Sequence, residues 1–381
     1  MKDKTYYRTR LDEIDSRIVD LLSERMSTVS EFAAFKKENG IPVYDPSRER
    51  EKIAHLISIA PDGVKEFIPA FFSTVFDASK LCQNRISGTS GDLAADIAEA
   101  VKSSPKYLPD FAPVACQGTE GAYSQVACNR LFRNANTFFF SDFESVFKAI
   151  EKGLCKYGII PVENSTAGSV NEVYDLMMKH RFCVVKSIRQ KIDHCLLVKP
   201  GTELKDIKSV YSHEQALAQC SEFFKSNPEI KAVPCANTAV AAKTVAQSDD
   251  GSAAAIASRN CSALYGLETV KDSIQNNDSN YTRFICISKD LQILPGADRT
   301  SLMVTLSHEQ GSLFRFLSHL NALGINLLKL ESRPLPNRNF EFMFYFDMEI
   351  SVYSPSFAGL LSELPYSCDS YTYLGSYSEV L

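Results

Sequence analysis

In the first eighty positions the apolar residues recur at helical spacing and nowhere alternate. Leu11, Ile14, Ile18, Leu21, Leu22, Val29 and Phe32 fall on one stripe of a 3.6-residue period. The run from Tyr6 to Glu38 holds neither Pro nor Gly and stops at Asn39-Gly40, which predicts one long helix with a C-terminal glycine stop. Asp45-Pro46 opens a second helix, with Asp as N-cap and Pro in the first turn, and a third is expected from about Pro69 to Asn84. A long amphipathic helix with two short companions does not bury its stripe alone, so dimerisation is the expected remedy.

The pattern then changes twice. Residues 87–112 hold Ser87, Gly88, Ser90 and Gly91, an Ala-rich stretch, then Ser103, Ser104, Pro105 and Pro109, which reads as a linker with room for one short helix. From 113 to 295 short β-rich runs alternate with helical ones: Pro113–Cys116 then Tyr123–Phe132, Tyr157–Val162 then Val170–His180, Ser209–Ser212 then Gln215–Phe224, Ala253–Ala257 then Cys261–Gly266. Such alternation predicts an α/β domain with a parallel or mixed sheet and ligands at the strand ends. From 296 to 381 the order is strand (Ser301–Leu306), helix (Gly311–Leu323), strand (Ile325–Ser332), strand (Phe340–Ile350), short helix (near Phe357–Glu363) and strand (near Tyr371–Tyr377), a ferredoxin-like βαββαβ segment. The expected division is 1–86, 87–112, 113–295 and 296–381.

Composition narrows the classes. A chain of 381 residues with 45% hydrophobic and 23% charged residues is a multidomain globular protein and not a disordered one. No apolar run reaches the length of a membrane span, and MKDKTYYRTRLDEIDSR lacks a signal-peptide core. Eleven cysteines without CxxC pairs imply a reduced, cytoplasmic protein with no zinc module, and a net charge of −5 argues against a nucleic-acid partner.

Two basic residues interrupt the helical stripe. Arg25 stands where a Leu is expected, and Lys36 lies eleven residues on, three turns along the same face. A single such residue reads best as a snorkelling surface cation. Two in register, with Arg48 and Glu49 opening the next helix and Ser79 and Gln83 four apart on the third, point to a pocket for a small dianion.

This set resembles the all-helical chorismate mutases over residues 6–85, carried by Arg8, Arg25, Lys36, Asp45, Arg48, Glu49, Ser79 and Gln83, with Asp45-Pro-Ser-Arg48-Glu49-Arg50-Glu51 the most recognisable stretch. That family rearranges chorismate to prephenate with no nucleophile or proton transfer, by holding one conformer and stabilising charge on the breaking ether oxygen. The resemblance implies an intertwined helical dimer. Arg8, Arg25 and Arg48 would hold the carboxylates, Lys36 and Gln83 would donate to the ether oxygen, and Glu49 would hold the ring hydroxyl with Ser79 and Asp45 in support.

In the α/β region, Glu163-Asn164-Ser165-Thr166 ends a strand and enters a helix. Taken alone it is an N-cap loop, but a carboxylate beside Asn-Ser-Thr makes a dense set of donors and acceptors. Polar strand ends recur at Tyr211-Ser212-His213, with Gln219 beyond, at Ala236-Asn237-Thr238 and at Asn280-Tyr281-Thr282-Arg283-Phe284. His213 reads as a solvent-facing helix-start residue and is left out of the site. Gly-Thr-Glu-Gly-Ala-Tyr-Ser (118–124), Pro-Val-Glu-Asn-Ser (161–165), Asp-His-Cys-Leu-Leu-Val (193–198), Tyr-Ser-His (211–213) and Thr-Arg-Phe (282–284) together resemble the prephenate dehydratases. That resemblance implies two subdomains like those of periplasmic binding proteins, and loss of water and carbon dioxide from prephenate to give phenylpyruvate. Thr282 would be the hydrogen-bond donor to the leaving hydroxyl. Glu163, Asn164, Ser165, Thr166, Ser212, Gln219, Arg283 and Phe284 would line the site.

Gly311-Ser312-Leu313-Phe314 and Glu331-Ser332-Arg333-Pro334, set in the βαββαβ segment, resemble the regulatory ACT domain. Ser312 and Phe314 depart from the usual Gly-Ala-Leu-Val, and Leu328 replaces a common Thr. Phenylalanine would bind at Gly311, Ser312, Leu313, Asn326, Glu331, Ser332 and Arg333, across a dimer interface. The combined expectation is a bifunctional chorismate mutase and prephenate dehydratase, inhibited by phenylalanine, a homodimer or larger, with no cofactor or metal and no nucleic-acid or membrane partner. Two other readings stay open: a non-catalytic amino-acid sensor on the same fold, and a dehydratase whose helical domain only dimerises.

Overall fold

The computed structural model describes residues 3–43, 45–87, 92–335 and 341–381. Helix α1 (Lys4–Glu38) is unbroken for 35 residues, about 52 Å at 1.5 Å per residue. Asp3 caps its first turn by accepting from the Tyr6 amide, and Asn39 closes its end. Helix α2 (Pro46–Ile59) starts at Asp45, whose carboxylate accepts from the Arg48 amide at 3.0 Å. Helices α3 (Ile68–Ser87) and α4 (Asp92–Ser103) follow. Residues 88–91 of the expected linker lie outside the described residues, and the rest of it carries the twelve-residue α4.

The α/β region contains β1 (Phe111–Gln117), α5 (Tyr123–Leu131), β2 (Asn134–Phe140), α6 (Phe143–Glu151), β3 (Tyr157–Asn164), β4 (Gly168–Ser169), α7 (Asn171–Met177), β5 (Cys183–Lys191) and β6 (Cys195–Val198). It continues with β7 (Ser209–His213), α8 (Glu214–Gln219), α9 (Ser221–Ser226), β8 (Lys231–Cys235), α10 (Thr238–Gln247), β9 (Ala253–Ala257), α11 (Asn260–Tyr265), β10 (Glu268–Lys271) and β11 (Tyr281–Ser288). The C-terminal segment is β12 (Arg299–Thr305), α12 (Ser312–Ala322), β13 (Asn326–Pro334), β14 (Phe342–Glu349), α13 (Pro355–Ser367), β15 (Ser370–Tyr377) and β16 (Glu379–Val380). Phe340, where the fourth of its expected elements was to begin, lies outside the described residues.

Three sheets organise these strands. The first runs β16-β5-β11-β3-β1-β2 with β4 beside β3, the second β10-β6-β9-β7-β8, and the third β13-β14-β12-β15. The first two are mixed: β1 pairs in parallel with β2 and β3, while β11 is antiparallel to β3 and β5. The short β16 joins the first sheet, parallel to β5, a pairing the sequence pattern did not suggest.

The described chain forms two compact units. One comprises Met1–Asp96, Thr305–Asn326 and Tyr353–Tyr371; the other comprises Ile97–Val304, Leu327–Val352 and Thr372–Leu381. This division cuts across the expected segments, because α12 and α13 belong with the N-terminal helices and most of the third sheet belongs with the α/β region. The second unit has a continuous apolar core on both faces of its large sheet. Ile285 and Ile287 pack with Val162, Tyr174 and Tyr345 on one face; Phe284 and Cys286 pack with Tyr157 and Ile159 on the other. The alternation follows from the two-residue period of a strand.

In the first unit the apolar stripe of α1 is left open. Leu11, Ile14, Ile18, Leu21, Leu22 and Phe32 are exposed, along with Tyr6, Tyr7, Val19 and Phe35, so the described residues leave most of the α1 stripe uncovered. Two short companions cover only its C-terminal half, where Ala33 and Lys36 are buried.

Candidate functional site

In the first unit, five of the eight residues of the expected dianion pocket gather between α1, α2 and α3. The Arg25 guanidinium meets Ser79 Oγ, and its Nη1 is 3.5 Å from the Val75 carbonyl. Burial lowers its pKa from the ordinary arginine range. Lys36, 9% exposed, donates to the Val43 carbonyl at 3.1 Å and lies 4.8 Å from the centre of the Phe32 ring. Gln83 is buried and donates to the Ser79 carbonyl at 3.4 Å, one turn back on α3. Glu49 pairs with Lys80 at 3.3 Å, and Lys80 pairs with Asp77 at 2.8 Å. Burial works against the Lys80 ammonium, but Asp77 and then Glu49 outweigh it and raise its pKa.

The remaining three sit elsewhere or act differently. Asp45 serves as the α2 cap, and the Arg48 side chain is exposed beside Glu51 at 3.6 Å. Arg8 is exposed near the start of α1, 28 residues and about 42 Å from Lys36 on the same unbroken helix. Asp77 and Lys80 were missed from sequence. Their i, i+3 spacing looks like an ordinary surface pair until α2 brings Glu49 to it.

In the second unit a cavity of ≈ 520 Å³ opens between the first two sheets. Its walls come from strand ends and helix starts: Gln117 ending β1, Tyr123 opening α5, Asn164 ending β3, His194 before β6, Gln219 ending α8, Asn237 capping α10, and Thr282 with Phe284 on β11. Gly121, with φ +89°, turns the loop between β1 and α5; a Cβ there would lie 2.8 Å from Cys261 Sγ, which is why the 118–124 motif needs glycine.

Four of the expected residues meet on this wall, and a fifth links them. Asn164 Nδ2 donates to Asn280 Oδ1 at 2.7 Å and to Thr282 Oγ1 at 3.0 Å. Asn280 Nδ2 donates to Gln219 Oε1 at 3.0 Å, and that same oxygen lies 3.0 Å from His194 Nε2. Because Gln219 Oε1 only accepts, His194 donates from Nε2; its burial lowers its pKa, with Gln219 and Asp193 opposing. The chain His194–Gln219–Asn280–Asn164–Thr282 is therefore continuous. Phe284 supplies an apolar floor beside it. Asn280 and His194 are almost fully buried and were missed, although both lie inside the quoted motifs.

Strand alternation removes other expected residues from the cavity. Thr282 faces Asn164 across the β3–β11 ladder, and Arg283 faces Glu163 one step on, so that pair projects from the opposite side of the sheet. Arg283, 4% exposed, is surrounded there by Asp347, Glu379 at 3.1 Å, Glu163 at 3.7 Å and the Tyr377 hydroxyl at 3.1 Å. Ser212 is fully buried and donates to the Ile256 carbonyl at 2.6 Å inside the second sheet, so it does not line the cavity. Ser165 donates to the Ser279 carbonyl, and Thr166 is exposed with its amide donating to Asn164 Oδ1. Neither lines the cavity. His213 caps α8 by accepting from the Gln215 amide, and also reaches the cavity rim.

The same alternation divides the expected phenylalanine residues. On β13, Glu331 and Arg333 point toward the α/β region, while Asn326 and Ser332 are exposed on the other side. Ser169 Oγ donates to Glu331 at 2.5 Å, and Arg333 pairs with both oxygens of Asp175 at 2.7 and 2.8 Å. Gly311, Ser312 and Leu313 belong to the first unit, where Gly311 at φ +83° precedes α12.

A helical cluster of cations on one segment and a polar cleft between two mixed sheets on the next define an enzyme with two sites. The chain matches the chorismate mutase type II family over residues 7–84 and the prephenate dehydratase family over residues 114–292. It is 31% identical over 356 residues to the bifunctional chorismate mutase/prephenate dehydratase of Buchnera aphidicola, covering 91% of this chain and 89% of that relative. Among solved structures, the prephenate dehydratase of Arthrobacter aurescens in complex with L-Phe superposes with a TM-score of 0.65 at 26% identity, over 70% of this chain and 90% of that one. GqqA, a quorum quenching acylase, superposes with a TM-score of 0.64 at 29% identity, over 69% of this chain and 97% of that one. The chain belongs to the bifunctional chorismate mutase/prephenate dehydratase family. It rearranges chorismate to prephenate and converts prephenate to phenylpyruvate, carbon dioxide and water.

Proposed function

We propose that the two reactions use separate residue sets, Arg25, Lys36, Glu49, Ser79 and Gln83 for the rearrangement and Thr282, Asn164 and Gln219 for the dehydration. The observation that carries the second set is the hydrogen-bonded chain through Asn280. Asn164 donates to Thr282 Oγ1, so the threonine hydroxyl, which lines the cleft, keeps its own proton to donate. Gln219 Oε1 already accepts two donors, which leaves its Nε2 for the substrate. In prephenate the bond between the ring and its carboxylate breaks, and its electron pair enters the ring as the C–O bond breaks and the hydroxyl leaves. A donor at Thr282 stabilises the charge growing on that oxygen. Prephenate binding by Glu163, Ser165, Thr166, Ser212 and Arg283 is set aside, because their side chains are engaged elsewhere or exposed.

For the rearrangement, Lys36 and Gln83 are the donors to the ether oxygen and Arg25 is a carboxylate ligand. Arg8 and Arg48 complete the set, with Arg8 entering from a second chain. The exposed α1 stripe and the length of the helix support this intertwined dimer. The βαββαβ order of residues 296–381 supports an ACT domain, and β13 stands at the edge of its sheet, open to a second copy. The phenylalanine held by the Arthrobacter relative supports L-phenylalanine as the effector, with Glu331 and Arg333 among its ligands. Eleven free thiols support a reducing compartment such as the cytoplasm.

Feeding chorismate to the purified protein, with and without phenylalanine, tests this reading. Prephenate appears and is consumed, phenylpyruvate accumulates, and phenylalanine slows the second step. Unaltered phenylpyruvate formation at millimolar phenylalanine removes the regulatory part.

A further inference from the structure

We propose that Lys329, on the C-terminal strand β13, is a positioning residue for the dehydratase reaction. Its ammonium lies 3.0 Å from Glu163 Oε2 and donates to Ser169 Oγ at 2.7 Å. Glu163 and Ser169 are register partners at the base of the β3–β4 hairpin, so this one cation staples its two arms. The turn between them, residues 164–168, carries Asn164, whose Oδ1 accepts from the Thr166 and Ala167 amides and whose Nδ2 reaches Thr282. Ala167, Gly168 and Ser169 line the cleft beside it.

The charges fit a staple. Glu163 sits between Lys329 and Arg283, so its carboxylate is balanced on both sides. Ser169 accepts from Lys329 while donating to Glu331, so strand β13 holds this hydroxyl through both its proton and its lone pair. Lys329 is largely buried and does not itself line the cleft. It lies 160 positions from Ser169 in sequence and outside the 114–292 match to the dehydratase family. The dehydratase cleft thus draws one of its supports from the C-terminal sheet.

The inference rests on the cleft around Thr282 being the dehydratase site; Thr282→Ala tests that separately. The test of Lys329 compares Lys329→Met, Lys329→Gln and Lys329→Arg in the full chain, with mutase and dehydratase rates and amide hydrogen exchange measured on the same samples. A loosened turn displaces Asn164, so dehydratase kcat in Lys329→Met falls about tenfold to a hundredfold. KM for prephenate changes much less, the mutase rate stays constant, and exchange at Thr166 and Ala167 rises. Lys329→Arg, which keeps the charge, recovers most of kcat. If Lys329→Met does not fold, Lys329→Gln gives the same comparison with the stem retained. Unchanged dehydratase kcat overturns the proposal. So does a loss of kcat with unaltered exchange at 166 and 167, or one in which KM rises as much as kcat falls.

Discussion

Asn164 and Thr282 face each other across the antiparallel β3–β11 ladder, and the amide of the first donates to the hydroxyl of the second at 3.0 Å. Two residues 118 positions apart are thereby fixed as one donor unit, with Asn280 and Gln219 behind them. Each link of that chain and of the helical pocket gives a measurable expectation.

Separate residue sets predict separable losses. Lys36→Ala abolishes mutase turnover and leaves the dehydration of supplied prephenate within about twofold, while Thr282→Ala does the reverse, since sites in different domains behave independently. Steady-state rates with each substrate check this. A folded variant that loses both activities contradicts it.

Asn280 touches no substrate in this arrangement, yet it satisfies Asn164 and Gln219 at once. Asn280→Ala leaves their half-buried amides without this partner, at about 1 kcal/mol of stability. Dehydratase kcat falls about tenfold to a hundredfold as Asn164 and Gln219 move. Urea unfolding together with kcat reads both effects; a stable variant with normal kcat contradicts the chain.

Arg8 and Lys36 stand about 42 Å apart on one unbroken helix, so if both are substrate ligands, as proposed, Arg8 serves a second chain. Mixing Arg8→Ala with Lys36→Ala protein under subunit exchange places both defects in one site of each heterodimer and leaves the other intact. Random exchange then restores about a quarter of the wild-type mutase rate, one intact site in four. No recovery despite proven exchange means that Arg8 serves its own chain or no site.

Glu331 and Arg333 are held by Ser169 and Asp175, so a ligand that takes them must draw them away first. Asp175→Asn weakens one of these competing contacts. The pair is part-exposed, so its worth is modest, and phenylalanine inhibits the variant at a concentration about two- to fivefold lower. Calorimetry with phenylalanine measures the shift; weaker binding in Asp175→Asn reverses the sign and contradicts the coupling.

Acid pH acts through buried histidines. Burial lowers the pKa of His194, and also that of His319, which stands 3.9 Å from Asp77 and 4.0 Å from Glu363. Below the unfolded histidine value of about 6.5 the unfolded chain takes up protons that the folded one refuses. Stability therefore falls as pH drops from that point, by at most about 1.4 kcal/mol per pH unit for each histidine, and is flat above it. Urea midpoints at neutral and mildly acidic pH, for wild type and His194→Gln, check the slope, which is shallower in the variant. Equal slopes contradict the assignment to His194.

The sequence by itself determined the elements and the kinds of chemistry. A 3.6-residue period without Pro or Gly is enough to specify α1, Asp45 is enough to start α2, and Asn164 and Thr282 stand out as polar strand ends because local physics acts over a few residues. Only the tertiary structure decided which side chains share a space. Thr282, Arg283 and Phe284 are consecutive in one motif, yet pleating sends Arg283 to a buried ion cluster and its neighbours to the cleft. Glu331 and Ser332 separate on β13 for the same reason. Ser212 looks like a strand-end ligand until its hydroxyl is seen to satisfy the Ile256 carbonyl in the core. Lys329 carries no local signal, and the Asp77–Lys80 pair looks like an ordinary surface pair, because Glu163, Ser169 and Glu49 meet them only after the sheets and helices have packed. Even the α1 stripe, the clearest pattern in the sequence, fixed a helix and not what covers it, since burial depends on every surface that folding brings near.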